Sequence, residues 1–272
     1  MRSLAVINQK GGVGKTTTAV NLAAALAAEG SRVGVIDLDP QAHATLHLGA
    51  DPQRPLATVY DLLTGDAKID ELWRATGENL RVAPAHIDLA AAEVELAGVV
   101  GRELILRDKL AASNETFDFV VLDCPPSLGV LTLNALSAVD DVFLPLQPHF
   151  LALHGLSKLM QTVELVSERL NPRLTMAGVV LCLFESGTRL ANEVTADVET
   201  YFQQLRASGR PAWRHVRLFD TRVRRNIRLA EAPSFGQSIL DYDPASRGAA
   251  DYRALAAEVA AYYAGRQLAE AA

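Results

Sequence analysis

Cysteine is nearly absent from this sequence: Cys124 and Cys182 are the two in 272 residues. Two thiols, each inside an apolar stretch, exclude a disulfide framework and a four-cysteine metal site. Long hydrophobic runs are missing as well, and no stretch approaches the ~18 uninterrupted apolar residues of a membrane span. The N-terminus leads straight into Leu4-Ala5-Val6-Ile7 without a charged leader and cleavage site, so a cytoplasmic location is expected. Positive charge is not in excess, because 26 basic and 32 acidic side chains leave a net charge of −6. Binding to nucleic acid or to an acidic membrane therefore requires a local patch. Aromatics are sparse at 6%, yet 49% of residues are hydrophobic and 21% charged, which is the balance of a folded chain and excludes disorder as the main state. Repeats, low-complexity tracts and a Gly/Ser/Pro linker are lacking too, so the chain reads as one domain spanning 1–272.

What is present is an alternation of short apolar runs with longer helical patterns, the signature of an α/β fold. A single doubly wound, mostly parallel sheet with helices on both faces is expected. Seven strands are predicted: Leu4 to Asn8, Arg32 to Leu38, Leu80 to Pro84, Phe117 to Asp123, Asp141 to Leu146, Met176 to Leu183 and Ala212 to Leu218. Helices are predicted at Lys15 to Glu29, Asp88 to Ala97, Gly101 to Ala112, Leu128 to Ala138, Leu153 to Leu170, Leu190 to Ala207 and Ala245 to Ala264.

The segment Asn8-Gln9-Lys10-Gly11-Gly12-Val13-Gly14-Lys15-Thr16-Thr17-Thr18 lies directly between the first strand and the first helix. Glycines there let the backbone curl so that successive N–H groups, from Gly11, Gly12, Val13 and Gly14 on through Lys15, Thr16 and Thr17, point at phosphate oxygens. The helix N-terminus adds its positive dipole end. Lys15 is placed to neutralise the β and γ phosphates, and the Thr16 hydroxyl to coordinate Mg²⁺, which bridges those same phosphates. Two further strands end in carboxylates, at Asp37-Leu38-Asp39-Pro40-Gln41 and at Asp123. Ligands bind at that edge of open α/β sheets, where such groups hold metal-bound water or orient an attacking water.

The usual loop has its first glycine five residues before the second, but Gln9 stands at that position and Lys10 precedes the glycine pair. This resembles the deviant Walker A loop of the ParA and MinD superfamily of P-loop ATPases. The resemblance implies that Lys10 reaches across an ATP-sandwiched homodimer to the partner's nucleotide. It also implies that Asp39 supports hydrolysis, that Asp37 lies near the metal, that Asp123 contacts Mg²⁺ through water, and that Cys124 to Gly129 form a γ-phosphate-sensing switch. In this scheme Lys10, Lys15 and Asp39 are the catalytic set, and Thr16, Asp37 and Asp123 serve the metal.

Between Arg206 and Arg228 lie eight arginines and one acid, Asp220, a strongly positive stretch in an acidic chain. Arg222, Arg225 and Arg228 recur every third residue, spacing that would line them along one helical face and suit nonspecific contact with DNA phosphates. Arg224 to Gly236 and Asp241 to Ala249 look like the C-terminal signature of the Soj/ParA branch. With the Walker elements and Gln147 to Leu156, the resemblance covers nearly the whole chain. It implies that Arg225 and Arg189 help an ATP dimer bind double-stranded DNA, and that the adenine is met at Arg224 and Asn226. Arginine at 224 departs from the family's proline, His154 replaces a frequent glutamate, and Glu185-Ser186-Gly187 departs from the usual segment.

The function expected from this resemblance is a partitioning ATPase. Its ATP dimer would coat nucleoid DNA until a ParB-like protein with a basic N-terminal tail stimulates hydrolysis. Chromosome, plasmid or a protein cargo such as a chemoreceptor cluster or microcompartment would all suit the cycle. A reductase like the nitrogenase iron protein needs two cluster cysteines near the dimer axis, and the Leu80 to Val100 region has none. A membrane-cycling MinD-like protein is disfavoured by Tyr262 to Ala272, with its single Arg266 and no cationic face. A small-molecule ligase using the same loop, such as a biotin-pathway synthetase, is disfavoured by the arginine stretch and the C-terminal signature.

Overall fold

The computed structural model describes residues 1–51, 56–149 and 156–271. Eight strands form one sheet in the order β3-β4-β2-β5-β1-β6-β7-β8. They are β1 (Arg2–Val6), β2 (Val33–Asp37), β3 (Arg74–Ala75), β4 (Leu80–Ala83), β5 (Phe119–Asp123), β6 (Asp141–Leu146), β7 (Thr175–Phe184) and β8 (Leu218–Arg224). All neighbours are parallel except β3 and β4, which pair antiparallel. The helices are α1 (Lys15–Ala28), α2 (His43–His47), α3 (Val59–Thr64), α4 (Ile69–Leu72), α5 (Leu89–Glu95), α6 (Ile105–Ala111), α7 (Val130–Ala138), α8 (Leu156–Arg169), α9 (Arg189–Ala207), α10 (Ile227–Glu231), α11 (Ile239–Tyr242) and α12 (Arg247–Ala271).

Alternation along the central strands builds two cores. Leu4, Val6, Val33 and Val35 face α1, α11 and α12, whereas Ala5, Ile7, Ile36 and Leu38 face α3 and the elements α5 to α9. Because both faces are covered, the central strands read as continuous apolar runs, as a parallel sheet requires. Helix α1 is apolar nearly all round, with the sheet on one side and α12 on the other, so its many alanines permit close approach. Leu22 and Leu26 are fully buried there, each contributing about 2 kcal/mol. Pro145 is tolerated in β6 because pairing with β1 stops at Phe143.

Three expectations are corrected. The last strand is Leu218–Arg224 and not Ala212 to Leu218: Pro211 opens a 3-10 turn through Trp213, burying Ala212 and Trp213 before the strand begins. An eighth strand, β3, is two residues long, too short to leave a period in the sequence. The final helix runs to Ala271, well past Ala264. Its extension is held by Arg266, whose Nη1 lies 2.7 and 2.8 Å from the two oxygens of the fully buried Asp141. The start of the helix expected at Leu153, and His154, lie outside the described residues. Among the described residues, no helix is long and apolar enough to cross a membrane.

Arg266→Met would strand the buried carboxylate of Asp141. We expect a loss of about 3–5 kcal/mol in urea unfolding at pH 7. Burial already raises the Asp141 pKa, with Arg266 as the largest opposing influence, so the deficit should shrink on acidification, when neutral Asp141 carries no charge. Asp141→Asn in the same chain should recover most of it. A deficit indifferent to both changes would refute the ion-pair account.

Candidate functional site

β1, β2 and β5 end side by side at one sheet edge, and the order reverses around β1, where a crevice for ligands forms. The loop after β1 curls through Gly12 (φ 73°) and Gly14 (φ 92°), left-handed values that a side chain resists, and Gly14 caps α1. A Cβ on Gly11 or Gly12 would meet nothing within 4 Å, so the concave side of the loop is open to a ligand. Asn8 fixes the loop's base by donating to the Pro145 carbonyl at 2.8 Å and accepting from the Lys10 N–H at 3.0 Å. Lys15 is largely buried and donates to the Lys10 carbonyl at 3.3 Å. Burial lowers its pKa, opposed by the charges of Asp123 and Asp39.

Asp37 and Asp123 are direct register partners across β2 and β5, and both are 0% exposed. Asp37 is fully engaged: one oxygen accepts from the N–H and hydroxyl of Thr45 at 2.8 and 2.7 Å, the other from the Asp39 N–H at 3.1 Å. Burial nevertheless pushes its pKa up to about 6. Asp123 differs, since neither oxygen has a hydrogen bond of normal geometry among the described residues. Burial first, then the charge of Asp37, hold its pKa well above the carboxylate range; the Thr16 hydroxyl and Lys15 ammonium pull the other way. Asp39 sits at the rim, one oxygen accepting from the Gln41 N–H at 2.9 Å. An orphaned buried carboxylate beside a threonine hydroxyl and an open glycine cradle suits Mg²⁺ bound with a nucleotide. Among the described residues no three-residue cluster forms a ready-made cation cage, which fits an ion taking most ligands from phosphate and water.

Beyond the cradle a pocket of about 200 Å³ opens over Gly12, Gly14 and Thr17, with Arg224 and Asn226 in its lining. The two residues singled out for the base therefore both line this pocket, but each is otherwise engaged. Asp251 clamps the Arg224 guanidinium, with Nη2–Oδ1 at 2.5 Å and Nε at 3.1 Å from both oxygens. Asn226 Oδ1 caps α10 by accepting from the Arg228 N–H at 2.9 Å. Sequence reasoning missed the rest of the pocket: Cys182 and Leu183 from β7, Leu229 and Ala230, and Tyr252, whose hydroxyl lies 3.2 Å from that of Thr18. Leu183 holds a left-handed φ of 52°, a strained position at the pocket wall. Thr45 and Asp251 were missed as well, because they act through a carboxylate eight residues away and a guanidinium 27 residues away, spacings that form no local motif.

The arginines do not form one helical face. Arg222 lies in β8, half-buried, with its guanidinium folded onto the carbonyls of Phe219, Asp220 and Thr221. Arg225 follows the strand and Arg228 sits in α10. The chain also brings acids the local count omits: Glu185 pairs with Arg225 at 3.0 Å, Glu193 with Arg189 at 2.7 Å, and Glu231 and Asp243 with Arg228 at 2.7 and 3.4 Å. Arg189, with its side chain 92% exposed at the start of α9, and Arg225 emerge from the ends of neighbouring strands β7 and β8, on the same edge as the phosphate loop.

Residues 1–176 match the family profile described as an AAA domain. Soj of Bacillus subtilis, a sporulation initiation inhibitor protein, is 46% identical over 95% of this chain and 98% of its own. The chromosome partitioning protein ParA of Caulobacter vibrioides is 44% identical over 95% and 94%. This chain belongs to the Soj/ParA family of ATPases. Soj/ParA likeness extends to solved structures. Cobyrinic acid a,c-diamide synthase from Mycobacterium smegmatis, with bound ATP analog and magnesium, is 36% identical over 97% of this chain and 95% of that one, at a TM-score of 0.82. MinD of Pyrococcus horikoshii complexed with Mg-ADP, 23% identical over 95% of each chain at a TM-score of 0.75, shares the fold.

If Asp123 is a cation-dependent charge, Asp123→Asn should raise the melting temperature of the nucleotide-free protein in EDTA at pH 8 by several degrees, on the order of 1–3 kcal/mol. The sign follows from a folded pKa above the unfolded one: its stabilising influence is complete at low pH and lost as pH rises through the folded value. The same change should remove the extra stabilisation that Mg²⁺ adds to ATP. A variant less stable than the parent in EDTA would contradict this reading.

Proposed function

We propose that this protein is a partitioning ATPase whose ATP-bound homodimer binds double-stranded DNA nonspecifically and is released when a ParB-like partner stimulates hydrolysis. The observation that carries the reading is the unpartnered, buried Asp123 facing Thr16 and Lys15 beneath an open glycine loop, in a chain 46% identical to Soj. In this reading the loop N–H groups from Gly11 to Thr17, with Val13 buried to anchor the curl, hold the phosphates, and Lys15 balances their charge. Thr16 and Asp123 would hold Mg²⁺, with Asp37 close by and orienting the segment after β2, and the bound ion would supply positive charge to the phosphates. Asp39 at the rim orients the attacking water, while Lys10 reaches a partner's phosphates. Arg224 contributes its aliphatic stem, and Asn226 its amide edge, to the base pocket.

Arg189 and Arg225 then act as the DNA contacts by exchanging exposed ion pairs with Glu193 and Glu185 for phosphates, and such exposed pairs are worth at most about 1 kcal/mol. Arg228 supports the edge of that surface, and Arg222 has a structural part. Localisation would be cytoplasmic and nucleoid-associated. Chromosome cargo is favoured over plasmid or protein cargo by the Soj and ParA relatives. The synthase structure at 36% identity raises a second reading, a ligase using the same nucleotide site.

The test is binding to random-sequence duplex DNA without nucleotide, with ADP and with ATP-Mg²⁺, titrating salt, alongside ATP turnover. DNA binding confined to ATP and falling steeply with salt is expected, with slow turnover that needs no small-molecule substrate. Lys15→Ala should lose nucleotide binding. Asp39→Ala should bind ATP and DNA yet turn over at least 100-fold more slowly, roughly 3 kcal/mol in the barrier. Arg225→Glu should keep turnover and lose DNA affinity about tenfold or more, reducing the salt slope. Absence of DNA binding in every state, with no substrate-free turnover, would favour the ligase.

A further inference from the structure

Lys10 occupies an exposed position on the outer turn of the phosphate loop, and its backbone is fixed on both sides. Its N–H donates to Asn8 at 3.0 Å and its carbonyl accepts from Lys15 at 3.3 Å, so reorientation is left to the side chain. That side chain does not point at random: Nζ lies 2.7 Å from Nε2 of His149, three residues beyond β6. An ammonium only donates, so the contact requires the Nε2 lone pair of a neutral imidazole whose proton is on Nδ1. Burial, and next the Lys10 charge, keep His149 below its ordinary pKa, which preserves that lone pair at neutral pH. The Asn8 bond to Pro145 fixes the distance between the loop and the end of β6, so the pairing is built into the scaffold.

We infer that His149 is a positioning residue that parks Lys10 within its own subunit, in competition with the partner's nucleotide. The inference rests on the proposed ATP dimer. Dimerisation then requires Lys10 to exchange one imidazole acceptor for phosphate oxygens, a stronger charge-assisted interaction supplied only when a partner presents bound ATP. The isolated subunit thereby keeps a lysine with long reach from folding onto its own phosphates, and the monomer is favoured until ATP occupies both sites. For a partly exposed bond to a charged donor, the bias is about three- to tenfold in the dimerisation constant.

The test is sedimentation of wild type, His149→Leu and His149→Gln across protein concentration, in Mg²⁺ with ADP or with slowly hydrolysed ATPγS. Expected is half-dimerisation of His149→Leu at a concentration about three- to tenfold below wild type in ATPγS, with His149→Gln, whose Oε1 also accepts, returning to the wild-type midpoint. In ADP all three should be monomers. On the ADP monomer, Lys10→Ala should raise the His149 pKa measured by NMR, a readout independent of dimerisation and of how the Leu variant folds. Equal midpoints for wild type and His149→Leu, Gln behaving like Leu, or an unmoved His149 titration would each overturn the parking role. Wild type remaining monomeric in ATPγS would overturn the dimer reading itself, a result visible in the wild-type arm alone.

Discussion

Two carboxylates stand opposite each other in register at the ends of β2 and β5, both out of contact with water, and the protein supplies one buried ammonium against them. Burial raises the pKa of both, the Asp37 charge adds to the shift at Asp123 and the Asp39 charge to that at Asp37, and among the described residues neither Asp37 nor Asp123 pairs with an arginine. That edge of the sheet is thus short of positive charge in a chain otherwise rich in ion pairs. In the proposed reading a divalent cation beside Asp123 would supply what is missing, and phosphate oxygens would answer Lys15. On that reading cation and nucleotide would bind together, each offsetting the charge the other introduces.

The neighbouring elements follow from that constraint. Asp37 survives burial because α2 turns its N-terminal side toward the carboxylate and Thr45 donates twice, which requires Ala42 to take a left-handed φ of 53° at the helix cap. The Thr45 hydroxyl also accepts from the Ala85 N–H at 3.0 Å, linking the segment after Asp39 to the end of β4. A displacement of Asp37 on binding would therefore be transmitted to two strand ends at once. Among the described residues nothing comparable holds Asp123, so of two buried carboxylates in register one is fully hydrogen-bonded and the other is not.

Much of this was legible in the sequence because parallel strands buried on both faces leave uninterrupted apolar runs, and because Gly11 to Thr17 follow one of them directly. Asp37, Asp39 and Asp123 were legible as strand-ending carboxylates. The last strand was misplaced since Ala212, Trp213 and Val216 are as apolar as a strand, although Pro211 diverts them into a turn. The three-residue arginine spacing misled because periodicity presupposes a helix; a strand, a turn and a short helix divide Arg222, Arg225 and Arg228 among them. Contacts between side chains distant in sequence, such as Arg224 with Asp251 or Lys10 with His149, leave no local pattern to find.

Near its start helix α12 carries Asp251, which pairs with Arg224, and Tyr252, which lines the pocket beside the loop, and about 22 Å further along it carries Arg266 at the opposite sheet edge. The glycine loop stands at the start of the chain, whereas the pocket beside it is closed by the last helix. During synthesis the phosphate cradle emerges some 230 residues before Tyr252 closes the pocket behind it, at ordinary elongation rates a delay of roughly ten to fifty seconds. The loop's anchor at Pro145 and the Asp123 carboxylate are themselves made only midway, so the crevice is complete when the helix that locks the sheet has been synthesised.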